Sequence, residues 1–92
     1  MYYKDSMTID YSRGFLRKIK KLPIEEQRRL SERIEWFKKD PRDSRLKVHM
    51  LAGKMKGYFA LSLDYSKRVV FVWMDEQVVL FTDVGSHDQV YK

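Results

Sequence analysis

The spacing of apolar residues changes once along this chain, and that change most constrains its fold. Between Ser12 and Asp40 the apolar residues recur every three or four positions, which is typical of helices that bury one face. From Tyr58 onward the period becomes two, first at Phe59, Leu61 and Leu63, which is typical of a strand. Pro23 divides the helical half in two, because proline ends one helix and suits the first turn of the next.

Two turn segments, 64–67 and 74–77, divide the second half into three strands that follow one another closely. Short turns between consecutive strands predict an antiparallel meander. The alternating segment 8–11 predicts one more strand before the helices. We therefore expect an α+β fold in the order β-α-α-β-β-β, with an antiparallel two-helix hairpin packed on one face of a mostly antiparallel sheet. The 92 residues are expected to form a single domain, with residues 1–6 as a loose leader.

The positive charge is concentrated in the first part of the chain. The formal net charge is +6; residues 1–56 hold 16 Lys and Arg against 8 Asp and Glu, whereas residues 57–92 hold 3 against 5. Such a basic surface suits a polyanion, such as RNA, the ribosome, DNA or an acidic protein. A solubilising surface is the plainer interpretation. The connector 42–57 is expected to be a substrate- or RNA-binding surface, through Arg45, Lys47, Lys54 and Lys56.

Composition excludes several classes of function. The chain has no cysteine and only two histidines, His49 and His87, which are too few strong ligands for a zinc site, so we expect no metal and no other cofactor. The absence of cysteine fits the reducing cytoplasm. No apolar run approaches the roughly 20 residues of a membrane span, so no membrane association is expected.

The last residues, 84–91, carry most of the candidate chemistry. A strand leads to Gly85, which can turn the backbone, and His87 and Tyr91 follow. In an antiparallel meander the end of the last strand lies beside the start of the middle one, so Arg68 should lie near His87 and Tyr91. Histidine transfers protons near neutral pH and arginine binds phosphate. These groups suit metal-free cleavage of RNA, in which the substrate supplies its 2′-hydroxyl as the nucleophile.

Each of these residues also has a purely structural interpretation. His87 could be a solvated loop residue, or an incidental member of a helix that Ser86 and Gln89 cap. Arg68 could be a charge at the edge of a strand, and Tyr91 could be a packing residue.

Three segments, 46–53 (LKVHMLAG), 68–71 (RVVF) and 84–91 (VGSHDQVY), together with the order of elements, resemble the RelE/ParE toxin superfamily. The likeness is greatest to its RelE/YafQ-type mRNA interferases, covers nearly the whole chain from Met7, and is most specific in the last segment. The resemblance implies the toxin of a type II toxin–antitoxin system. Such a toxin is a metal-independent endoribonuclease that cleaves mRNA, typically on the ribosome, and is neutralised by a cognate antitoxin.

The resemblance also implies roles for individual residues. His87 matches the C-terminal catalytic histidine of YafQ-like toxins, and His49 matches another functional histidine. Arg68 matches an arginine that stabilises the phosphate, and Tyr91 matches an aromatic residue that contacts the base or assists catalysis. Ser62 stands about where these toxins have a second strand histidine. The general base is therefore either His49, if the connector folds back across the sheet, or His87.

Two other functions are compatible with the same fold. A ParE-like toxin would inhibit DNA gyrase by binding, without an active site. A non-catalytic relative would bind RNA or protein. Neither would need His87, Arg68 and Tyr91 together, so the tail motif favours the endoribonuclease.

Overall fold

A five-stranded mixed sheet with two helices on one face forms the fold in a computed structural model that describes residues 7–91. The leader predicted at residues 1–6 lies outside the described residues. The elements in chain order are β1 (Thr8–Tyr11), α1 (Arg13–Lys20), α2 (Ile24–Lys39), β2 (His49–Met50), β3 (Phe59–Ser62), β4 (Lys67–Trp73), β5 (Val78–Ser86) and α3 (His87–Val90). Two short 3-10 helices, Ser44–Leu46 and Gly53–Met55, lie in the connector.

The strands lie in the order β1-β5-β4-β3-β2. β1 runs parallel to β5, and the other neighbouring pairs are antiparallel. The predicted α+β architecture is thus confirmed. The predicted order of elements did not include β2, of two residues, or α3, of four.

Local signals in the sequence explain where the two long helices begin. The hydroxyl of Ser12 accepts a hydrogen bond from the Phe15 amide at 3.0 Å and donates one to the Thr82 carbonyl at 3.2 Å, so it caps α1 and ties it to β5. Pro23, with its fixed φ, precedes the first turn of α2. Acidic residues occupy the first turn of α2 and lysines its last turn, where the helix dipole favours each charge.

Aromatic rings from both layers form the centre of the core. The ring of Phe37 on α2 lies 5.1 Å from that of Phe71 on β4 and 5.7 Å from that of Phe81 on β5, between ring centroids. Phe15 on α1 lies 5.7 Å from Phe81 in the same measure. All four side chains are fully buried, so these contacts hold both helices to one face of the sheet.

A β-bulge sets which face the end of β5 presents. Val70 pairs with Asp83, but the next residue, Phe71, pairs with Phe81, so β5 contains one extra residue. Side chains alternate between faces, and the extra residue lets both Phe81 and Val84 point into the core. After the bulge, Gly85 therefore lies on the face opposite the long helices.

The same alternation places candidate residues on that opposite face. Arg68 pairs with Gly85 on one side and with Ser62 on the other, and His49 pairs with Ala60, two positions along β3 from Ser62. All of them thus lie away from the aromatic core. Within residues 7–91, no helix is both long and apolar enough to cross a membrane.

Replacing Phe37 by alanine should lower the free energy of unfolding by about 3–5 kcal/mol, because it removes a fully buried ring from the centre of the core. Urea denaturation followed by circular dichroism measures the loss. Ile24→Ala is the control, since Ile24 is largely exposed; its loss should stay below about 1 kcal/mol. Equal losses for the two variants would contradict the packing described.

Candidate catalytic site at one end of the sheet

The antiparallel register of β4 and β5 brings the candidate residues to one end of the sheet. Arg68, the second residue of β4, lies directly opposite Gly85. α3 begins two residues after that glycine with His87, and Tyr91 follows α3. The structure thus brings Arg68, His87 and Tyr91 to the same end, the arrangement expected from the meander.

A capping box fixes the geometry of the tail. The Ser86 hydroxyl accepts from the Gln89 amide, and the Gln89 side-chain oxygen accepts from the Ser86 amide at 2.8 Å. The resulting turn of helix puts His87 and Tyr91 on the same side, because they are four residues apart. Their ring centroids are 4.3 Å apart and the planes meet at 83°. The capping interpretation of Ser86 is therefore correct, and the cap also orients the imidazole.

Gly85 leaves space for a neighbouring side chain rather than making a turn. β5 continues through Gly85 to Ser86, so the expectation that this glycine turns the backbone at the strand end is wrong. A side-chain carbon at this position would lie 2.6 Å from the Gln89 side-chain oxygen. The glycine thus leaves room for the Gln89 side chain in the position that the capping box requires.

The Tyr91 hydroxyl is buried and, among the described residues, has no hydrogen-bond partner. Burial raises the pKa of Tyr91, and the positive charge of Arg68 lowers it in part. The phenol therefore keeps its proton at neutral pH, beside a fixed cation.

The Arg68 guanidinium is held by the turn between β3 and β4. Its Nη1 donates to the carbonyl oxygens of Asp64 and Lys67, both at 3.2 Å, and more weakly to that of Tyr65 at 3.5 Å. Every side-chain hydrogen bond of Arg68 within residues 7–91 uses Nη1, so Nη2 and Nε make none to the described residues.

The two histidines occupy different positions. His87 is exposed, with Nδ1 3.7 Å from a carboxylate oxygen of Asp88. His49 is exposed on the edge strand β2, where Nδ1 lies 3.1 Å from the Lys47 carbonyl oxygen. Two strand spacings and two residues separate His49 from Arg68, which puts their Cα atoms about 12 Å apart. His49 therefore shares a face with the cluster but lies outside it.

Ser62, at the position where the resemblance expected a histidine, is the direct β3 partner of Arg68. Its hydroxyl donates to the Asp64 carbonyl oxygen at 3.0 Å. The Ser-x-x-Gln spacing indicated the helix cap by Ser86 and Gln89, but not that this cap orients His87 or that Gly85 leaves room for Gln89.

The four basic residues predicted to bind RNA are all exposed in the connector. Arg45, however, has a structural task. Its guanidinium lies 3.8 Å from the centroid of the Trp36 ring and pairs with both carboxylate oxygens of Asp43. The hydrogen bonds from Arg45 lower the pKa of Asp43 to about 2. Within the described part of the chain, no ion pair or aromatic contact involves Lys47, Lys54 or Lys56.

Between Met7 and Tyr91, no three or more His, Asp and Glu side chains are grouped so that they could hold a metal ion.

Comparison with solved structures identifies the class of fold. The chain is similar to a YoeB/ParE toxin from Agrobacterium tumefaciens, with a TM-score of 0.75 and 16% identity over 88% of this chain and 99% of that one. It is also similar to the E. coli DinJ–YafQ toxin–antitoxin complex, with a TM-score of 0.72 and 17% identity over 95% and 99% of the two chains. It is similar as well to an archaeal RelE–RelB complex from Pyrococcus horikoshii, with a TM-score of 0.70 and 16% identity over 92% of this chain and 99% of that one.

The fold is therefore that of the YoeB, YafQ and RelE toxins, and the predicted resemblance to the RelE/ParE superfamily is confirmed at the level of the fold. No protein-family model matches the sequence, and no curated protein matches it.

Replacing Arg68 by glutamine should raise the pKa of Tyr91 further, because the nearby positive charge that lowers it is removed. NMR titration of the tyrosine ring carbons measures the pKa, and Tyr91→Phe assigns the signal. Arg28→Gln, an exposed change on α2, is the control and should leave the titration unchanged. An unchanged Tyr91 pKa in Arg68→Gln would contradict the proximity of the two groups.

The sign of the accompanying pH effect follows from the same shift. The pKa of Tyr91 in the folded protein lies above the ordinary value of 10.0, so folding favours the protonated phenol. This stabilisation is fully present below the unfolded pKa and is lost as the pH rises from that value through the folded pKa.

Proposed function

We propose that this chain is the toxin of a type II toxin–antitoxin system and that it cleaves mRNA as a metal-independent endoribonuclease. The fold of the YoeB, YafQ and RelE toxins supports the first part. The second part rests mainly on one observation, the grouping of Arg68, His87 and Tyr91 at a single end of the sheet. A protein that acted only by binding would have no need of this combination of groups.

The chemistry follows from what each group can do. The 2′-oxygen of the RNA attacks the adjacent phosphorus, and the bond from phosphorus to the 5′-oxygen of the next nucleotide breaks. The imidazole of His87 accepts the proton of the 2′-hydroxyl, and the leaving oxygen takes a proton from solvent, to which this end of the sheet is open. The free nitrogens of Arg68 bind the phosphate oxygens as negative charge develops on them.

Tyr91 and His49 have supporting roles in this scheme. The Tyr91 ring packs edge to face against His87 and orients the imidazole, and its protonated hydroxyl stays buried near the Arg68 charge. His49 is assigned to a contact with the RNA strand rather than to proton transfer, because it lies on the edge strand, away from His87. The products would be a 2′,3′-cyclic phosphate and a 5′-hydroxyl.

Exposed lysines of the connector supply the RNA-binding surface. Lys47, Lys54 and Lys56 are charged, exposed and close in sequence to His49. Contacts between such side chains and phosphates release counterions, so affinity for RNA or the ribosome should fall steeply as salt rises. We infer that the substrate is mRNA on the ribosome and that the protein acts in the cytoplasm.

A cognate antitoxin is the second proposed partner. The similar structure from E. coli is a toxin–antitoxin complex, and the one from Pyrococcus horikoshii is a complex of RelE with RelB. The excess of Lys and Arg in residues 1–56 suits an acidic partner. We propose an antitoxin with an acidic, partly disordered segment that folds when it binds this surface.

Replacing His87 by glutamine should reduce mRNA cleavage by about 100-fold or more, because the proton-transfer group is lost while the capping box is kept. The measurement is mapping of new mRNA 5′ ends after induction in cells, together with growth. His49→Gln makes the same chemical change on the edge strand and should retain most of the cleavage. Glu76→Gln, an exposed change in the turn at the far end of the sheet, is the neutral control.

Three results would count against the proposal. Growth arrest by the wild-type protein without new mRNA ends would favour inhibition of gyrase. Full cleavage by His87→Gln would remove His87 from the reaction. A loss in His49→Gln as large as that in His87→Gln would move proton transfer to the edge strand.

A further inference from the structure

Side-chain hydrogen bonds hold the turn between β3 and β4, residues 64–67, in addition to its backbone bonds. Asp64 Oδ1 accepts hydrogen bonds from the Ser66 amide at 2.9 Å, the Ser66 hydroxyl at 3.0 Å and the Lys67 amide at 2.9 Å. Asp64 Oδ2 accepts from Arg29 of α2 at 3.3 Å. Both carboxylate oxygens are therefore occupied, and Asp64 is a poor candidate for proton transfer.

A second ion pair ties the same turn to the same helix. Lys67, the last residue of the turn, pairs with Glu26 at 3.0 Å, and both side chains are largely shielded from solvent. Glu26 and Arg29 lie three residues apart on α2 and so face the turn together. In one pair α2 supplies the cation and the turn the anion, and in the other the charges are reversed. Both pairs can therefore form only when the turn has this one orientation against α2.

The rigid turn presents its carbonyl oxygens to Arg68. The oxygens of Asp64 and Lys67, which accept from Arg68 Nη1, belong to the two residues that the Asp64 side chain joins. If the turn lost its shape, Nη1 would lose its acceptors and the guanidinium would leave its place beside Tyr91. An arginine side chain has many rotamers, so without these bonds it would rarely occupy that one.

We propose that Asp64 is a positioning residue for Arg68: its carboxylate fixes the 64–67 turn, and the turn's carbonyl oxygens hold the guanidinium at the candidate site. Arg29 supports Asp64 from α2. For its effect on cleavage this inference rests on the proposed function, because Arg68 is there the group that binds the phosphate. Although burial alone would raise it, the pKa of Asp64 is held below its ordinary value by the bonds from Ser66 and Lys67 and by the Arg29 charge, so the carboxylate stays ionised at neutral pH.

The chain contains a matched control for this role. Asp75 Oδ1 accepts from the Gln77 and Val78 amides at 2.7 and 2.9 Å, in the turn that joins β4 to β5 at the opposite end of the sheet. The backbone bonds that close the two turns also correspond: Leu63 and Asp64 donate to Lys67, as Met74 and Asp75 donate to Val78. Asp75→Ala therefore removes the same kind of capping interaction away from Arg68.

The test combines cleavage kinetics with NMR of arginine side chains, on the purified full-length protein. On ribosomes programmed with mRNA, Asp64→Ala should lower the single-turnover cleavage rate roughly 10- to 100-fold, the cost of a misplaced catalytic group. Asp75→Ala should stay within about 2-fold of wild type. In the Arg68→Ala background, Asp64→Ala should cause almost no further loss, since the residue that it positions is absent.

Two milder variants keep the test meaningful if Asp64→Ala folds poorly. Asp64→Asn retains an oxygen that can accept from Ser66 and Lys67, and should restore most of the rate. Arg29→Gln removes only the support from α2 and should cause a small loss that also vanishes in the Arg68→Ala background.

The NMR measurement separates this inference from the proposed function. Rotation of the Arg68 guanidinium should be slow in the wild type and in Asp75→Ala, and fast in Asp64→Ala. Equal rotation rates of the guanidinium in the wild type, Asp75→Ala and Asp64→Ala would overturn the positioning role. So would an equal loss of cleavage rate from Asp64→Ala in the wild-type and Arg68→Ala backgrounds. A wild type that holds Arg68 rigidly but cleaves no RNA would uphold the positioning role and overturn the nuclease.

Discussion

The pairing of β4 with β5 is the interaction on which the candidate site depends. It sets Arg68 opposite Gly85, and through the bulge after Phe81 it also decides which face the tail occupies. A shift of one residue in this register, with β4 held against β3, would turn Val84 out of the aromatic core and Gly85 into it. Because Phe71, Phe81 and Val84 are all fully or nearly fully buried, such a shift would be costly. Packing on one face of the sheet thereby fixes the positions of the candidate residues on the other.

The tail and the β3–β4 turn build the site from two sides by the same kind of interaction. Ser86 and Gln89 satisfy each other's backbone amides and fix His87, whereas Asp64 satisfies the amides of its own turn and fixes Arg68. Each device uses short-range hydrogen bonds, which cost little chain entropy to form. The few functional side chains of this small protein are thus oriented without a deep cavity.

Much of the fold could be predicted from the sequence. The change from a helical to an alternating pattern predicted the helices and the meander, because an element that buries one face has a characteristic apolar period. Pro23 predicted the boundary between the two long helices. The bulge was harder, since Phe81 and Val84 are three apart and break the alternation that the prediction assumed. β2 was not predicted, because two residues are too few to establish any period.

The site could be predicted only where the topology determines it. Because β4 and β5 are antiparallel neighbours, Arg68 and His87 lie at the same end of the sheet, whatever the details of the turns. The place of His49 depends on the connector, whose sequence has no periodic pattern, and so it could not be derived. The ion pair of Asp64 with Arg29 was hidden for a different reason: the two residues are 35 positions apart, and single charges of α2 do not indicate which element they will contact.

Analysis of the cleavage products would test the central claim most directly. The purified protein is incubated with programmed ribosomes carrying an mRNA, first unmodified and then with a single 2′-deoxynucleotide at the cleaved position. If the substrate's 2′-hydroxyl is the nucleophile, the unmodified RNA will yield 2′,3′-cyclic phosphate and 5′-hydroxyl ends, and the deoxy substitution will abolish cleavage there. Ends bearing a 5′-phosphate, or undiminished cleavage of the deoxy substrate, would contradict the account.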